Sequence, residues 1–521
     1  MDNSNLRDNV KSIFELALSQ TTNQPGLQNL HHTLQQSYER LHQPMRVAIV
    51  GLIKAGKSTL MNALLGEAVV AVGTVEATFN INWLKYDNLP SLVVHFKDGR
   101  SPEPKSFEQL KALTLRAKEN QDYLKSIKYI EVGYPNEILK TFNLIDTPGL
   151  ESFYKDDAQN TLEFLKVHGK ELTETTQAEA SNADAVMYLF SQTISFTDAS
   201  IMQAFSGPAL GHATPINAIG LLTKVDAYWS DYDNPMEAGE KIAKRLSEHP
   251  QIKSLFYTIS PICGLLALGA QTLTPKEFEI LQQLAKVPET VLESKLRVKE
   301  RFTQREYTDI PVSPAQRKLV WDKLGQYGVW LACSYIRSGV NNLQNLNEEL
   351  LEYSGVSQLR KLIISHFGHR AYLIKLGTAL RQIKNTCSQQ RHNLQGKERQ
   401  IVEEIAGKFE ELEANEHGFA EFKVLRDYYD KKLDFDENEV QQLLQVTGEY
   451  GTSCGQRLGL DEKATVEEML AIALKQTHYW QQRAADYLGS DRTSIAAAGV
   501  LVRSYERILY RVQKAKEYLD F

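Results

Sequence analysis

Residues 51–58 read Gly-Leu-Ile-Lys-Ala-Gly-Lys-Ser, a complete G-x-x-x-x-G-K-S sequence. An apolar stretch, 47–50, precedes them, and a helix-prone stretch, 59–65, follows them. A strand, a glycine-rich loop and a helix in this order direct successive backbone N–H groups and the helix N-terminus onto one anion. The sequence therefore predicts a phosphate-binding loop at the edge of an α/β sheet.

Two side chains of this loop are suited to charged ligands. Lys57 is expected to reach the β and γ phosphates of a nucleotide, and the Ser58 hydroxyl is expected to coordinate Mg²⁺. The residues predicted to surround the phosphates are Gly51, Leu52, Ile53, Lys54, Ala55, Gly56, Lys57, Ser58 and Thr59.

A second segment continues the phosphate site. The apolar stretch 142–145 runs into Asp146-Thr147-Pro148-Gly149, a D-x-x-G sequence. In this arrangement Asp146 is expected to hold the Mg²⁺ shell through a water molecule, and the N–H of Gly149 can sense a γ phosphate.

Two later segments predict that the base is guanine. The apolar stretch 217–222 ends in Thr223-Lys224-Val225-Asp226. The Asp226 carboxylate can accept both N1–H and N2–H of guanine, whereas adenine presents an acceptor at N1. Lys224 would lay its aliphatic stem over the base.

The last segment, 256–260, is predicted to be a strand that ends in a turn, with Ser260 and Pro261 contacting the base from the other side. Four elements in this order, each at the carboxyl end of an apolar strand, predict a GTPase that converts GTP to GDP and phosphate.

The third ligand of the Mg²⁺ ion is expected from the stretch 72–83, which follows the first helix of the head. Thr78 is the preferred candidate for the threonine that closes on Mg²⁺ and the γ phosphate, and Thr74 is the alternative. The predicted metal ligands are therefore Ser58, Thr78 and Asp146. Leu150 and Glu151, rather than a glutamine, follow the D-x-x-G sequence, so the attacking water must be positioned by another group.

With these motifs the chain resembles the dynamin superfamily and, within it, the bacterial dynamin-like proteins, in particular the mycobacterial isoniazid-inducible ones. The segments that carry the resemblance are 51–60, 76–78, 146–149, 264–270, 354–360 and 451–461. The resemblance implies a GTPase that remodels membranes by fission or fusion, with a head that dimerises and pulls on a helical stalk. It also implies pairing with itself or a paralogous dynamin-like partner, and a peripheral location on the cytoplasmic face of the inner or plasma membrane.

Lys54 departs from dynamin, which carries a serine at this place that helps to hold a monovalent cation. A guanylate-binding relative carries an arginine there, which acts in cis on the transition state. The Lys54 ammonium could act on the charge developing between the β and γ phosphates. The alternative is a solvated or carboxylate-paired lysine, because an ammonium lacks the fork of a guanidinium.

The composition is typical of a soluble protein with several structural parts. The net charge of −6 gives no global reason to expect nucleic-acid binding. The four cysteines match no metal spacing, and the polar N-terminus lacks an apolar signal region, so a cytoplasmic protein is expected. No run of 18 apolar residues occurs, so the chain is expected to lie on a membrane rather than to span it.

Helical periodicity on both sides of the GTPase sequence predicts the domains. Residues 1–43 and 368–521 are predicted to be all-α and to build one helical bundle from both chain ends, because each set of apolar faces needs cover. Residues 44–367 are predicted to be a dynamin-type GTPase head, with a mixed, mostly parallel sheet, helices on both faces and a helical insertion at 265–350. Two helix starts in the insertion have the form of a capping box, at 274–277 and 313–316.

Two functions remain open at this point. One is a membrane-remodelling GTPase, and the other is a regulatory or assembly GTPase that binds a protein partner through its helices without lipid contact. Arg503, Arg507 and Arg511 form a basic stripe on the last helix. Such a stripe can bind anionic headgroups, but it is more often the solvated face of a bundle helix.

Overall fold

A computed structural model describes residues 3–51, 55–70, 80–114, 121–146, 183–191, 217–249, 252, 255–368, 370–429, 432–461, 463–486, 489 and 491–519. The chain divides into two compact units. The α/β unit comprises Arg46–Phe205 and Ala218–Leu362, and the helical unit comprises Met1–Met45, Ser206–Asn217 and Ile363–Phe521. The helical unit is therefore built from both ends of the chain.

Among the described residues, nine strands form the sheet of the α/β unit. Their bounds are β1 Met45–Gly51, β2 Asn82–Tyr86, β3 Ser91–Phe96, β4 Glu103–Lys105, β5 Ile127–Tyr134, β6 Phe142–Asp146, β7 Ala185–Ser191, β8 Ala218–Thr223 and β9 Ile259–Ile262. Every residue of β6 and β8 is buried, as expected for strands covered on both faces.

The sheet is mixed, and its order is β4-β3-β5-β2-β6-β1-β7-β8-β9. Strands β1, β7, β8 and β9 are parallel neighbours, whereas β2 pairs antiparallel with β6 and β3 pairs antiparallel with β4 and β5. The carboxyl ends of the four parallel strands therefore lie at one edge, where open α/β sheets bind their ligands.

Among the described residues, the helices of the α/β unit are α3 Lys57–Leu65, α4 Leu110–Thr114, α5 Gln121–Ser126, α6 Ile138–Thr141, α7 Pro235–Glu248, α8 Gly264–Thr272, α9 Pro275–Ala285, α10 Glu289–Leu296, α11 Lys299–Gln304, α12 Pro314–Arg337, α13 Leu343–Tyr353 and α14 Val356–Leu362. Both predicted capping boxes are confirmed, since Thr274 and Glu277 cap α9 and Ser313 and Gln316 cap α12. Short 3₁₀ segments lie at Phe107–Gln109 and Val225–Ser230.

In the helical unit the described helices are α1 Asn3–Thr21, α2 Gln28–His42, α15 Ala371–Arg391, α16 Gly396–Asn415, α17 His417–Tyr429, α18 Glu437–Val446, α19 Cys454–Arg457, α20 Val466–Ala484 and α21 Arg492–Leu519. A 3₁₀ turn, Pro25–Leu27, joins α1 to α2, and a π-helix, Ile363–Gly368, precedes α15.

The two chain ends share one hydrophobic core in this unit. The Phe14 ring of α1 lies 5.2 Å from Tyr38 of α2 and 4.9 Å from Phe409 of α16, between ring centroids. Lys375 of α15 donates from Nζ to the carbonyl oxygens of Leu41 and Gln43 at 2.8 and 2.6 Å. The predicted architecture, an α/β head with a helical bundle built from both chain ends, is thus confirmed. No helix in the described part of the chain is long and apolar enough to cross a membrane.

Phe14 provides a test of this shared core, because its side chain is fully buried. Phe14→Ala should lower the free energy of unfolding of the helical unit by about 3–5 kcal/mol, the usual range for truncating a buried phenylalanine. Leu16, on the same helix but 39% exposed, is the matched control. Leu16→Ala should change the free energy by less than about 0.5 kcal/mol in guanidinium unfolding followed by circular dichroism. Equal effects of the two substitutions would contradict the shared core.

Candidate nucleotide-binding site

The phosphate loop leaves the sheet at the carboxyl end of β1 and enters α3. Gly56 stands at the N-cap of α3 with φ of 96°, a left-handed conformation that favours glycine. Lys57 is the first residue of the helix and is 7% exposed. Its Nζ donates to the carbonyl oxygen of Gly51 at 3.0 Å, so the ammonium folds back over the loop. Ser58 and Thr59 follow in the first turn of the helix.

Asp146 faces this first turn from the end of β6. Its side chain is fully buried, and its Oδ2 accepts a hydrogen bond from the Ser58 hydroxyl at 3.2 Å. Its other oxygen, Oδ1, is buried and has no hydrogen-bond partner among the described residues. An ionised carboxylate left half-satisfied inside a protein costs free energy unless a ligand completes it.

The electrostatics of the pair reflect this cost. Burial raises the pKa of Asp146 to about 6, although the charge of Lys57 and the hydrogen bond from Ser58 oppose the shift. Burial lowers the pKa of Lys57 to about 8, although the charge of Asp146 opposes the shift. Asn82 of β2 stands opposite Asp146 of β6, and its amide nitrogen likewise makes no hydrogen bond among the described residues, but its proximity favours the ionised carboxyl. A divalent cation at Asp146 and an anion at Lys57 would each favour the charged form.

These residues fit a Mg²⁺ ion. Mg²⁺ prefers hard oxygen ligands and usually takes one or two protein groups with water and phosphate oxygens. Asp146 offers an oxygen that has no protein partner among the described residues, and the hydroxyl of Ser58 lies beside the same carboxylate. Asn82 was not predicted from the sequence. It lies beside Asp146 only because β2 pairs with β6, and no sequence motif marks that pairing.

The base-binding half begins at the end of β8. The Thr223 hydroxyl is buried and donates to the carbonyl oxygen of Ala55 at 2.8 Å and to that of Phe190 at 3.1 Å. Thr223 thus ties the base segment to the phosphate loop. Thr223 was predicted to contact the nucleotide. In the structure its hydroxyl is buried and makes these two hydrogen bonds to backbone carbonyl groups.

Lys224 and Asp226 follow in the segment that leaves the sheet. Lys224 is exposed and has φ of 57°, and Asn23 is the other non-glycine with positive φ in the described chain. Such a conformation persists at functional sites when the surroundings impose it. Burial raises the pKa of Asp226, and a hydrogen bond from its own backbone N–H and the charge of Lys224 oppose the shift.

The prediction for the last segment is wrong in its strand boundaries. The strand runs Ile259–Ile262, so Ser260 and Pro261 lie within it, paired with Leu221 and Leu222 of β8. A proline is tolerated there because β9 is the last strand of the sheet. The residues at the carboxyl end of the strand are therefore 263–265. Ser260 and Pro261 remain predictions as base contacts.

Five of the predicted site residues cannot be placed. Leu52, Ile53, Lys54, Thr78 and Gly149 lie outside the described residues, as does the alternative, Thr74. The structure brings together Lys57, Ser58 and Asp146 at one pole of the site. It places Thr223, Lys224 and Asp226 at the other pole and joins the two poles through Thr223 and Ala55.

A phosphate loop, a buried carboxylate facing it and a base-recognition segment at one edge of a mixed sheet define a P-loop GTPase. Residues 47–224 match the model of the dynamin family. Over this segment the chain is therefore similar to the dynamin family, and the site is that of a GTP hydrolase.

Other known proteins are similar to larger or smaller parts of the chain. The isoniazid-induced protein IniC of Mycobacterium tuberculosis is 28% identical over 471 residues, which cover 90% of this chain and 91% of IniC. Dynamin-like protein 2 of Campylobacter jejuni is 32% identical over 141 residues, 27% of this chain and 22% of that protein. A solved bacterial dynamin pair, described as oligomerised and tethering membranes, aligns with 100% of this chain and 92% of its own at 13% identity and a TM-score of 0.33. A TM-score this low supports no conclusion about this chain.

The buried carboxylate makes a prediction about stability. Asp146→Asn should raise the unfolding free energy of the nucleotide-free protein at pH 7 by up to about 3 kcal/mol, since a shift of one pKa unit corresponds to about 1.4 kcal/mol. The pKa of Asp146 is raised in the folded state, so the wild type loses stability as pH rises from the unfolded value of 3.8 through about 6. The advantage of the variant should therefore shrink below pH 6 and vanish below pH 3.8.

The measurement is the melting midpoint of the α/β unit from pH 4 to 8, with GTPase activity assayed in parallel. Asp146→Asn should lose Mg²⁺-dependent turnover while it gains stability. Asp233→Asn, which changes an exposed carboxylate, is the control and should alter neither property. A lower midpoint for Asp146→Asn at pH 7 would contradict the account.

Proposed function

We propose that this GTPase binds Mg²⁺ with GTP, pairs head to head and couples hydrolysis to membrane binding and remodelling. The observation that carries the nucleotide part is the buried, half-satisfied carboxylate of Asp146 beside Lys57 and Ser58. The family match carries the mechanical part. The division into helices 1–43, a GTPase domain 44–367 with its insertion 265–350, and a helical stalk 368–521 belongs to the same proposal.

Each placed residue has a role in this mechanism. Lys57 exchanges the carbonyl oxygen of Gly51 for β and γ phosphate oxygens, and the backbone N–H groups of the loop and of the first turn of α3 bind the same phosphates. Ser58 and Asp146 hold the metal, with Thr78 as the third predicted ligand. When bound, Mg²⁺ neutralises charge that develops on the phosphate oxygens. Asp226 accepts hydrogen bonds from the guanine edge, and Lys224 covers the base.

The predictions for the residues outside the described ranges stay proposals. Gly149 would sense the γ phosphate. Lys54 would supply a tethered cation between the β and γ phosphates, where dynamin recruits a monovalent ion.

We infer head-to-head pairing because the chain lacks one catalytic group. The sequence has no glutamine after Gly149 to orient the attacking water. A partner head that orders the loops around the nucleotide would supply the missing preorganisation. We propose the same chain as this partner, or a paralogous dynamin-like protein.

The membrane part of the proposal rests on the helical unit, and one observation favours the alternative. Arg507, in the middle of the predicted basic stripe, is half-buried near Glu416 and Glu421. Nearby, Lys514 pairs with Glu517 at 2.6 Å and Lys516 with Glu467 at 3.2 Å. The two lysines are thus already paired with carboxylates, and Arg507 lies near two more. A regulatory or assembly GTPase with a protein partner therefore remains the second candidate function. For either function we propose a cytoplasmic protein, and for the first a peripheral one at the inner or plasma membrane.

Base recognition by Asp226 can be tested by exchanging the base. Asp226→Asn should weaken GTP binding by roughly 10²-fold, because the amide has no charge and presents an NH₂ donor to one of the two guanine N–H donors. It should let xanthosine triphosphate be hydrolysed, since an amide can donate to the C2 carbonyl of xanthine. Lys57→Ala should abolish turnover with either base.

The matched control is Asp231→Asn, which alters an exposed carboxylate just after the same 3₁₀ segment. It should leave the KM values for GTP and xanthosine triphosphate unchanged. Equal turnover of ATP and GTP by the wild type would overturn the proposed base site.

A second experiment separates the two candidate functions. Specific GTPase activity should rise with protein concentration, because paired heads hydrolyse faster. The protein should sediment with liposomes of anionic lipid when a non-hydrolysable GTP analogue is bound, and Lys57→Ala should not. Concentration-dependent turnover without liposome binding, even at low salt, would favour the regulatory GTPase. Turnover independent of concentration would contradict head pairing.

A further inference from the structure

Helix α12, in the helical insertion, is interrupted at one residue. Gly325 has φ of 72° and ψ of −179°, which is not helical, although helix continues on both sides. This backbone conformation is essentially restricted to glycine. A break in the middle of a 24-residue helix costs hydrogen bonds, so its position calls for a physical explanation.

The break lies against both segments at the base-binding edge of the sheet. A methyl group added at Gly325 would lie 3.9 Å from Oδ2 of Asp226 and 3.4 Å from Cδ2 of Leu265. Leu265 is in the first turn of α8, directly after β9, and is 37% exposed. A side chain at position 325 would therefore meet the segment after β8 and the segment after β9 at once.

Close packing before and after the break fixes α12 in this place. A methyl group at Gly269 of α8 would lie 2.5 Å from the carbonyl oxygen of Lys323, and one at Gly328 would lie 2.9 Å from Leu266. Beyond the break, the Trp229 ring lies 5.7 Å from Tyr327 and 5.5 Å from Trp330, between centroids. Trp229 belongs to the same 3₁₀ segment as Asp226, so α12 braces that segment.

These contacts have a consequence for the carboxylate. Asp226 is partly buried, and the backbone of α12 at Gly325 is one of the elements that lie close to its carboxylate. Any side chain at position 325 would enter the space beside Oδ2, where the edge of a base has to approach. A side chain there would also force the glycine-only backbone to change and would shift the residues that hold Trp229.

We propose that the break at Gly325 forms a third wall of the guanine pocket and positions Asp226 for the base. This inference rests on the proposed base recognition by Asp226. It makes the helical insertion part of the nucleotide site, in addition to the segments that follow β8 and β9. Gly325 is then a positioning residue. Because it has no side chain, it leaves space beside Asp226 for the guanine base.

The test is Gly325→Ala, with Gly339→Ala as the matched control. Gly339 also has positive φ, 113°, and lies just after α12, but a methyl group there would meet no atom within 4 Å. Both variants should lower the melting midpoint. Only Gly325→Ala should weaken GDP binding in calorimetry, by tenfold or more, and raise the KM for GTP by a similar factor. The kcat at saturating GTP should stay within about twofold, because the wall does not touch the phosphates.

A purely structural role would lower the midpoint of both variants and leave the KM for GTP unchanged, which would overturn the proposal. If Gly325→Ala does not fold, Leu265→Ala provides the second test, because it opens the same wall at an exposed side chain. It should weaken GDP binding several-fold. Leu319→Ala, at a 54% exposed leucine of α12, should not. Equal GDP affinities of these two variants would likewise overturn the proposal.

Asp226→Asn, measured in parallel, separates this inference from the proposed function. If Asp226→Asn leaves GDP affinity unchanged, the proposed base site is wrong, and the wall proposal fails with it. If Asp226→Asn weakens binding and Gly325→Ala does not, only the wall proposal fails.

Discussion

The nucleotide site depends on two buried charged groups, Asp146 at the end of β6 and Lys57 at the start of α3. Asp146 is fully buried, Lys57 is nearly so, and only one oxygen of the carboxylate has a partner among the described residues. Burial works against the charged form of both groups. Their cost in the nucleotide-free protein is offset when a cation and an anion complete the site. The free-energy cost of burying these two charges thereby contributes to ligand affinity and to selectivity for charged ligands.

The rest of the α/β unit holds this pair in register with the base segment. Asn82 lies opposite Asp146 because β2 and β6 pair antiparallel. Thr223 joins the end of β8 to the phosphate loop through the carbonyl oxygen of Ala55. A movement of the loop on phosphate binding or release would therefore shift Thr223 and with it the positions of Lys224 and Asp226. The connection between the two segments is a single buried hydrogen bond from the Thr223 hydroxyl.

Much of the fold and of the phosphate site was predictable from local sequence. The loop at 51–58 and the capping boxes at α9 and α12 are short patterns whose residues act on their own neighbours. The bounds of β9 were not predictable, because Pro261 argued against a strand and only its place at the sheet edge permits one. Asn82 and the proposed role of Gly325 could not be identified from the sequence, since both depend on neighbours that are distant in sequence. A glycine inside a helical pattern was the one available signal for Gly325.

The central claim is that the buried charges of the head are completed by a guanine nucleotide with Mg²⁺. The most direct test is the melting midpoint of the wild-type α/β unit with a non-hydrolysable GTP analogue or the matching ATP analogue, each with and without Mg²⁺. The account predicts the largest rise in midpoint for the GTP analogue with Mg²⁺, a smaller rise without the metal and none for the ATP analogue. Equal stabilisation by both analogues, or stabilisation by the GTP analogue that does not depend on Mg²⁺, would contradict it.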